Sequence, residues 1–186
     1  MMQIGLLLVY LIVFFAWKSD ASRNAVDQAL MEGNRIGLAP GGIAEMFEGY
    51  PKPGTHPDEE YAIINSRKGF IRLAIKHGIP VIPVFCFGAT KMLKRLQLPF
   101  FFEHLSNMLR VSICVFYGAW GLPIPFRQKL LYVMGDPIYP PVQSAERAAL
   151  QEQVDSMHLE FCNELTKIFE RHKQSYGWDR KTLKLL

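Results

Sequence analysis

Residues 81–87, with the sequence VIPVFCF, restrict the fold of this 186-residue chain more than any other segment. Their side chains are mostly β-branched or aromatic and none is charged, which is typical of a strand covered on both faces in a parallel sheet. Residues 65–77, directly before this strand, show helical periodicity, and Gly78 and Pro80 then end the helix and force the chain to leave it. The positions that share the apolar face of this predicted helix are Phe70, Leu73, Ala74 and His77.

Short apolar runs predict three more strands, at residues 35–39, 111–117 and 129–134. The first is broken at Pro40-Gly41-Gly42, and a stretch rich in glycine and proline, 118–125, separates the other two. Strands and helices alternate along the chain. The pattern therefore predicts an α/β fold, a sandwich in which helices flank a largely parallel sheet.

Two further helices and a long loop complete the pattern. Asp20 or Ser22 can cap a short helix that ends at Gly33. Residues 144–172 carry a long apolar stripe, which favours a helix docked on a sheet over a zipper that binds a partner. Residues 47–60 are rich in proline and glycine, so an extended surface loop is predicted there. The stripe consists of Val154, Met157, Phe161, Leu165, Ile168 and Phe169.

The first 17 residues (MMQIGLLLVYLIVFFAW) are almost wholly apolar and are followed by Lys18. This length is at the lower limit for a helix that spans a membrane. A signal peptide is disfavoured, because no charge precedes the run and aromatic residues stand near its end. A membrane anchor or re-entrant segment over residues 1–18 is the favoured interpretation. A buried helix or strand and a wrong start site are the alternatives.

Residues 89–102 combine Lys91, Lys94 and Arg95 with the aromatic triplet at 100–102. Such a mixture suits a segment in a membrane interface, with aromatic rings inserted and cations at the headgroups. A basic surface helix followed by an aromatic turn that packs in the core fits equally well. Both interpretations stay open from the sequence.

The charge and the cysteines exclude several kinds of protein. The net charge is +4, and the lysines and arginines are scattered, unlike those of a nucleic-acid-binding arm. An anionic membrane or an anionic thioester substrate is a more suitable partner. Cys86, Cys114 and Cys162 are far apart in apolar surroundings, so we predict neither disulfides nor a metal site, and we interpret them as buried packing residues in a reducing compartment.

A glycine pair and an acid form the first candidate site. Pro40-Gly41-Gly42-Ile43-Ala44-Glu45 follows a predicted strand, and ligands usually bind at the carboxyl end of such strands. Two glycines allow backbone amides to approach an anion or a carbonyl closely, and Glu45 can accept hydrogen bonds from hydroxyls. Taken alone, this pair is more often a plain turn.

Several other blocks follow the glycine pair in a fixed order. They are residues 67–74 (RKGFIRLA), His77-Gly78, residues 83–88 (PVFCFG), Gly135-Asp136-Pro137-Ile138 and residues 169–177 (FERHKQSYG). Together they resemble the diacylglycerol and monoacylglycerol acyltransferase 2 family, a branch of the lysophospholipid acyltransferase superfamily. The resemblance extends from about Ser22 to the carboxy terminus, and it implies a partial acyltransferase domain over residues 19–186.

The resemblance implies transfer of a fatty acyl group from acyl-CoA to a mono- or diacylglycerol hydroxyl, in triacylglycerol and neutral lipid synthesis. It implies a place at the endoplasmic reticulum membrane or the lipid-droplet surface. Acyl-CoA is then a co-substrate, and neither a cofactor nor a metal is expected. The implied partners are acyl-CoA, glycerolipid substrates and the membrane, and nucleic acid is not among them.

The family's blocks also imply substrate-binding residues. Its Gly-Gly-x-x-Glu block falls on Gly41, Gly42 and Glu45, which would position the acceptor. Arg67 and Lys68 would attract the CoA phosphates or neutralise the oxyanion, unless Arg67 instead pairs with an acid such as Glu45 and orders the site. The family's Arg-Lys-Gly-Phe block falls on Arg67, Lys68, Gly69 and Phe70.

The family's catalytic histidine lies in a His-Pro-His-Gly block upstream of the glycine pair, and this sequence has no histidine before Gly41. No histidine is followed by aspartate five positions later, which is the superfamily pattern. His56-Pro57 resembles the block only superficially, so the catalytic residues stay unassigned. A chain that lacks the upstream segment is the leading hypothesis. A non-catalytic, membrane-bound lipid-binding or regulatory relative is the alternative, and a hydrolase is disfavoured because no Gly-x-Ser-x-Gly block occurs.

Overall fold

A computed structural model of the chain describes residues 23–41, 54–95, 116–122 and 124–186. The chain divides into two compact units, Met1–Leu38 and Ala39–Leu186, which are described separately. The predicted membrane segment at residues 1–18 lies outside the described residues. Among the helices that are described, none combines the length and apolar character that crossing a membrane requires.

The described part of the first unit is helix α1, Arg23–Met31, and the residues that follow it. The helix ends at Gly33, which adopts a positive φ of 78°. The amide of Asn34 donates to the carbonyl of Ala29 at 3.0 Å and closes the last turn. The predicted short helix that ends at Gly33 is therefore confirmed.

The predicted strand at residues 35–39 is wrong. The backbone there is irregular, and the side chain of Leu38 is half exposed. Within the described part of the chain, no strand pairs with this run. An isolated extended segment leaves its amides and carbonyls to water, so a short apolar run alone does not make a strand.

The second unit contains two helices, six short strands and two short 3₁₀ turns, Ala89–Lys91 and Ala119–Gly121, within its described residues. The helices are α2, Gly69–His77, and α3, Arg147–Tyr176. The strands are β1 Glu59–Ala62, β2 Val84–Phe87, β3 Lys94–Arg95, β4 Phe116–Tyr117, β5 Leu131–Met134 and β6 Thr182–Leu185.

These strands form three two-stranded sheets. β1 and β6 are parallel, with Glu60 opposite Leu183, whereas β2 and β5 are antiparallel, with Cys86 opposite Tyr132. β3 and β4 are also antiparallel. The mixed α/β class is confirmed, but among the described strands parallel pairing is limited to one sheet. Apolar composition reports burial and does not determine strand direction, which is why the expected largely parallel sheet is not found here.

The prediction that residues 81–87 are covered on both faces is also wrong for the described residues. Phe85 and Phe87 point into the core, while Ile82 is 50% exposed and Val84 is 45% exposed. The regular strand begins only at Val84. The apolar composition is suited to burial, but one face of the strand has no cover among the described residues.

Helix α2 is shorter than the sequence predicted. Residues 65–68 form a turn, and the helix begins at Gly69. It ends as predicted, because Gly78 adopts the left-handed conformation, with φ 63° and ψ 29°. Its buried side chains include Ile71 and Ile75, which were not assigned to the apolar face, as well as the predicted Leu73 and Ala74.

Helix α3 carries the core of the second unit. The six apolar stripe residues predicted from the sequence are all buried, which confirms a docked helix. Toward its amino-terminal half, Phe161 meets Phe70 of α2 edge-on, with ring centroids 5.0 Å apart. Toward its carboxyl end, Phe169 stacks on Phe87 of β2 and contacts Trp178. Two apolar clusters therefore lie along one helix.

We predict that Phe169→Ala lowers the free energy of unfolding by about 3–5 kcal/mol, because it leaves a cavity in a fully buried aromatic cluster. Leu159→Ala on the same helix is the matched control, since Leu159 is 61% exposed, and its effect should stay within about 0.5 kcal/mol. Urea unfolding followed by circular dichroism measures both. Equal effects of the two substitutions would contradict this description of the core.

Candidate active site

The glycine pair lies at a boundary of the described structure. Gly41 is buried in a turn, and Gly42 and Glu45 lie outside the described residues. The assignment of Gly41, Gly42 and Glu45 to acceptor positioning therefore stays a prediction.

The Arg67–Phe70 block spans the start of α2. Arg67 and Lys68 precede the helix, and Gly69 and Phe70 are its first two residues. The amide of Arg67 donates to the carbonyl of Ile64 at 2.9 Å, while its side chain is exposed. Gly69 is the first residue of the helix, and nothing lies within 4 Å of a Cβ placed there. Phe70 packs on Phe161 in the core. These neighbouring residues therefore have different roles, and Phe70 is a packing residue.

Lys68 is already engaged by the protein. Its Nζ lies 2.8 Å from Oδ1 of Asp155 on α3. The same Oδ1 accepts a hydrogen bond from Nε2 of Gln151 at 2.9 Å, and Oε1 of Gln151 accepts one from Arg72 at 2.9 Å. The hydrogen bond from Lys68 lowers the pKa of Asp155 below its ordinary value of 3.8. This network joins the start of α2 to α3.

Arg67 differs from Lys68 because it has no acidic partner among the described residues. Its guanidinium is at the surface next to the first turn of α2. A planar guanidinium with five donors is well suited to phosphate or to a developing oxyanion. Within the block, Arg67 is thus the exposed cation, whereas Lys68 is half-buried.

A buried ion pair that the sequence did not reveal lies on the parallel β1/β6 sheet. Glu60 of β1 pairs with Lys181, and their side chains are 7% and 13% exposed. The hydroxyl of Thr90 donates to Oε2 of Glu60 at 3.0 Å, and Nζ of Lys181 donates to the carbonyl of Pro57 at 3.0 Å. The surface loop predicted at residues 47–60 is wrong at its end, because Glu59 and Glu60 belong to β1. The ion pair depends on the inward position of Glu60 on that strand.

Aromatic rings and a tightly packed glycine surround this ion pair. Nζ of Lys181 lies 4.7 Å from the ring centroid of Trp178, and Nζ of Lys91 lies 5.2 Å from it. The hydroxyl of Tyr176 donates to the carbonyl of Lys129 at 2.5 Å. A Cβ at Gly88, where φ is 87°, would collide with that hydroxyl. Burial raises the pKa of Tyr176, and the nearby Cys86 and Glu60 raise it further.

Two of the described histidines, His158 and His56, contact backbone groups. His158 is buried, and its Nε2 lies 2.9 Å from the carbonyl of Ile64. A carbonyl only accepts, so Nε2 donates and carries a proton. Nδ1 of the exposed His56 accepts from the amide of Asp58 at 3.1 Å. His77 and His172 are half-buried, and His104 lies outside the described residues. The sequence carried no motif that marked His158 as a buried group.

The predicted role as a buried packing residue is confirmed for Cys162 and not for Cys86. Cys162 is buried and Cys86 is partly buried, and neither forms a disulfide. Burial raises the pKa of the Cys162 thiol, which favours its neutral form. Cys114 lies outside the described residues. The described part of the chain brings together no cluster of three or more histidine, cysteine or acidic side chains that could hold a metal.

The sequence was compared with protein families and with individual proteins. The family model described as diacylglycerol acyltransferase matches residues 9–186. The chain therefore belongs to the diacylglycerol acyltransferase family. No solved structure matches it.

The relatives of this chain are named as acyltransferases. Acyl-CoA wax alcohol acyltransferase 1 from Homo sapiens is 31% identical over 85% of the chain and 49% of its own length. Diacylglycerol O-acyltransferase 2 from Homo sapiens is 27% identical over 84% of the chain and 42% of its own length. 2-acylglycerol O-acyltransferase 1 from Bos taurus is 31% identical over 78% of the chain and 44% of its own length. The chain thus spans about half the length of these relatives.

We predict that Glu60→Gln lowers the free energy of unfolding by about 3–5 kcal/mol, because it leaves the Lys181 ammonium buried without its counter-charge. Adding Lys181→Met should restore part of the loss, which a double-mutant cycle in urea measures. Glu164→Gln is the control, since its partner Lys167 is 52% exposed, and its effect should stay below about 1 kcal/mol. Additive effects of the two changes at Glu60 and Lys181 would contradict the pairing.

The Lys68–Asp155 pair predicts a dependence of stability on pH. Because the folded-state pKa of Asp155 is lowered, the stabilisation is present above its ordinary value of 3.8 and is lost as the pH falls through the folded-state value. Asp155→Asn should therefore lower the melting temperature at neutral pH, and the difference from the native chain should shrink under acidic conditions. The control Asp179→Asn, at an exposed carboxylate, should show neither effect. A difference that grows as the pH falls would contradict this assignment.

Proposed function

We propose that this chain is part of an acyl-CoA-dependent O-acyltransferase that transfers a fatty acyl group to a mono- or diacylglycerol hydroxyl. The match of the diacylglycerol acyltransferase family over residues 9–186 is the observation that carries this proposal. The names of the relatives support a hydroxyl acceptor, since they include wax alcohol, diacylglycerol and 2-acylglycerol acyltransferases. The reaction belongs to triacylglycerol and neutral lipid synthesis.

The proposed reaction is a direct transfer between two substrates. A base takes the proton of the acceptor hydroxyl, and the oxygen attacks the thioester carbonyl of acyl-CoA. Hydrogen-bond donors or cations stabilise the oxyanion that forms. The carbon–sulfur bond then breaks, the ester is released, and CoA leaves as a thiol after taking up a proton. No metal or prosthetic group takes part in this scheme.

The described residues support particular roles in this scheme. Arg67 is exposed and has no described acidic partner, so it is the candidate for contacting the CoA phosphates or the oxyanion. Lys68 is paired with Asp155, and its proposed role is therefore to fix the position of the turn before α2. Gly41, Gly42 and Glu45 are proposed to position the acceptor.

A membrane location accompanies the proposed substrates, because acylglycerols partition into lipid. We assign residues 1–18 to a membrane segment and the basic, aromatic residues 89–102 to the lipid interface, on the basis of their composition. The endoplasmic reticulum membrane and the lipid-droplet surface are the proposed sites of action. We propose that the whole domain of the longer relatives has a larger sheet in which more of the strands are parallel.

A second candidate is a non-catalytic, membrane-bound protein that binds acyl-CoA or glycerolipids. The contacts of the described histidines favour it. Of the described ones, His158 donates to a backbone carbonyl and His56 accepts from a backbone amide. Binding without turnover would distinguish this candidate from the enzyme.

One experiment tests both candidates. The purified chain in detergent is mixed with radiolabelled oleoyl-CoA, and binding and transfer to dioleoylglycerol, monoolein and hexadecanol are measured. We predict that the chain binds oleoyl-CoA and that Arg67→Ala weakens binding about tenfold, the loss of one charge-assisted contact. Arg171→Ala, at an exposed site on α3, is the control and should bind like the native chain.

The outcomes separate the candidates. Labelled ester from the chain alone shows an enzyme. Binding without labelled ester supports the non-catalytic relative only if ester is still absent after the part of human diacylglycerol O-acyltransferase 2 that this chain does not match is added as a separate polypeptide. A chain that neither binds oleoyl-CoA nor forms ester contradicts both. Equal weakening by Arg67→Ala and Arg171→Ala would show that Arg67 contributes only general positive charge.

A further inference from the structure

The outward side of the β2/β5 sheet is apolar and, except at the half-buried Cys86, exposed. We define this outer face by five residues on the two strands and directly before β2. Val84 stands opposite Met134, and Cys86 stands opposite Tyr132. Backbone pairing continues beyond the strands to a bridge between Val81 and Ile138. The outer face consists of Ile82, Val84, Cys86, Tyr132 and Met134.

The two faces of this sheet differ in cover but not in polarity. The inner side chains Phe85, Phe87 and Val133 pack toward Phe169. On the outer face, Tyr132 is 63% exposed and Met134 is 72% exposed. An antiparallel sheet with one solvated face normally carries polar residues on that face. The outer face instead has the composition of a buried surface, so its exposure indicates a partner.

The occupant should be protein. Neither strand carries a lysine or an arginine, so the sheet itself offers no headgroup contacts of the kind an anionic membrane surface favours. β2 and β5 also pair only with each other among the described strands, so one edge of each has no pairing strand in the described part of the chain. Lipid cannot satisfy the amides and carbonyls of such edges, whereas another part of a protein domain can.

The lengths of the relatives indicate which protein segment would cover the outer face. The chain matches only 49% of acyl-CoA wax alcohol acyltransferase 1 and 42% of diacylglycerol O-acyltransferase 2. We propose that the outer face is the docking surface for the part of a diacylglycerol acyltransferase domain that these relatives have and this chain does not match. The apolar side chains would then form a core shared between the two parts. This inference rests on family membership and does not require turnover.

The test uses the full 186-residue chain and the unmatched part of each of these two human relatives as a separate, tagged polypeptide. The polypeptides are co-expressed and purified in detergent, and complex formation is measured by affinity capture followed by light scattering. We expect a complex of one chain with one fragment. The double variant V84K/M134K, which places two charges on opposed positions of the outer face, should reduce capture at least tenfold. Leu159→Lys, at an exposed apolar position on α3, should leave capture unchanged.

A second measurement protects the test against misfolding of the double variant. A photoreactive phenylalanine analogue at Tyr132 should crosslink to the fragment, and the same analogue at Leu159 should not. The proposal is overturned if neither fragment is captured, or if V84K/M134K folds and captures like the native chain. It is also overturned if the outer face mediates self-association or flotation with phosphatidylcholine vesicles in place of capture.

Discussion

The apolar stripe of α3 is the surface on which the described elements of the second unit depend. A 30-residue helix is about 45 Å long, so it can serve more than one cluster of side chains. Its first half packs against α2, and Phe161 meets Phe70 there. Its second half supports β2 through Phe169 and Phe87. Because both clusters share one helix, the turn before α2 and the β2/β5 sheet are held in a fixed relation.

This dependence on α3 explains several of the residues that give the chain its resemblance to acyltransferases. A Cβ at Gly135 would lie 2.7 Å from Cδ1 of Ile168, so a side chain there would require Ile168 to shift. At Gly88 a side chain would be strained by the positive φ of 87°, and its Cβ would collide with the backbone carbonyl of Lys129 and the hydroxyl of Tyr176. These glycines are therefore scaffold positions. Arg67, at the turn before α2, is one of the exposed cations in the described blocks.

Two of the described ion pairs of the unit act in different ways. Lys68 and Asp155 are partly exposed, so their attraction is screened, and the contribution is mainly to orient the turn next to Arg67. Glu60 is buried and Lys181 is largely buried, so each charge stabilises the other. This buried pair joins β1 to the segment before β6, where Trp178 and Tyr176 also pack. The carboxy-terminal segment is thus integrated into the fold.

The sequence by itself determined the elements whose pattern is local. The stripe of α3 and the glycines that end α1 and α2 were predicted correctly, because helical periodicity and left-handed glycines are read within a few residues. It also determined the family, through ordered blocks of residues. Only the tertiary structure decided that β1 pairs with β6 and that Glu60 meets Lys181, which is 121 residues away along the chain. Strand direction, coverage of the outer face and the partner of a buried charge depend on which distant segments meet, and no local pattern encodes that.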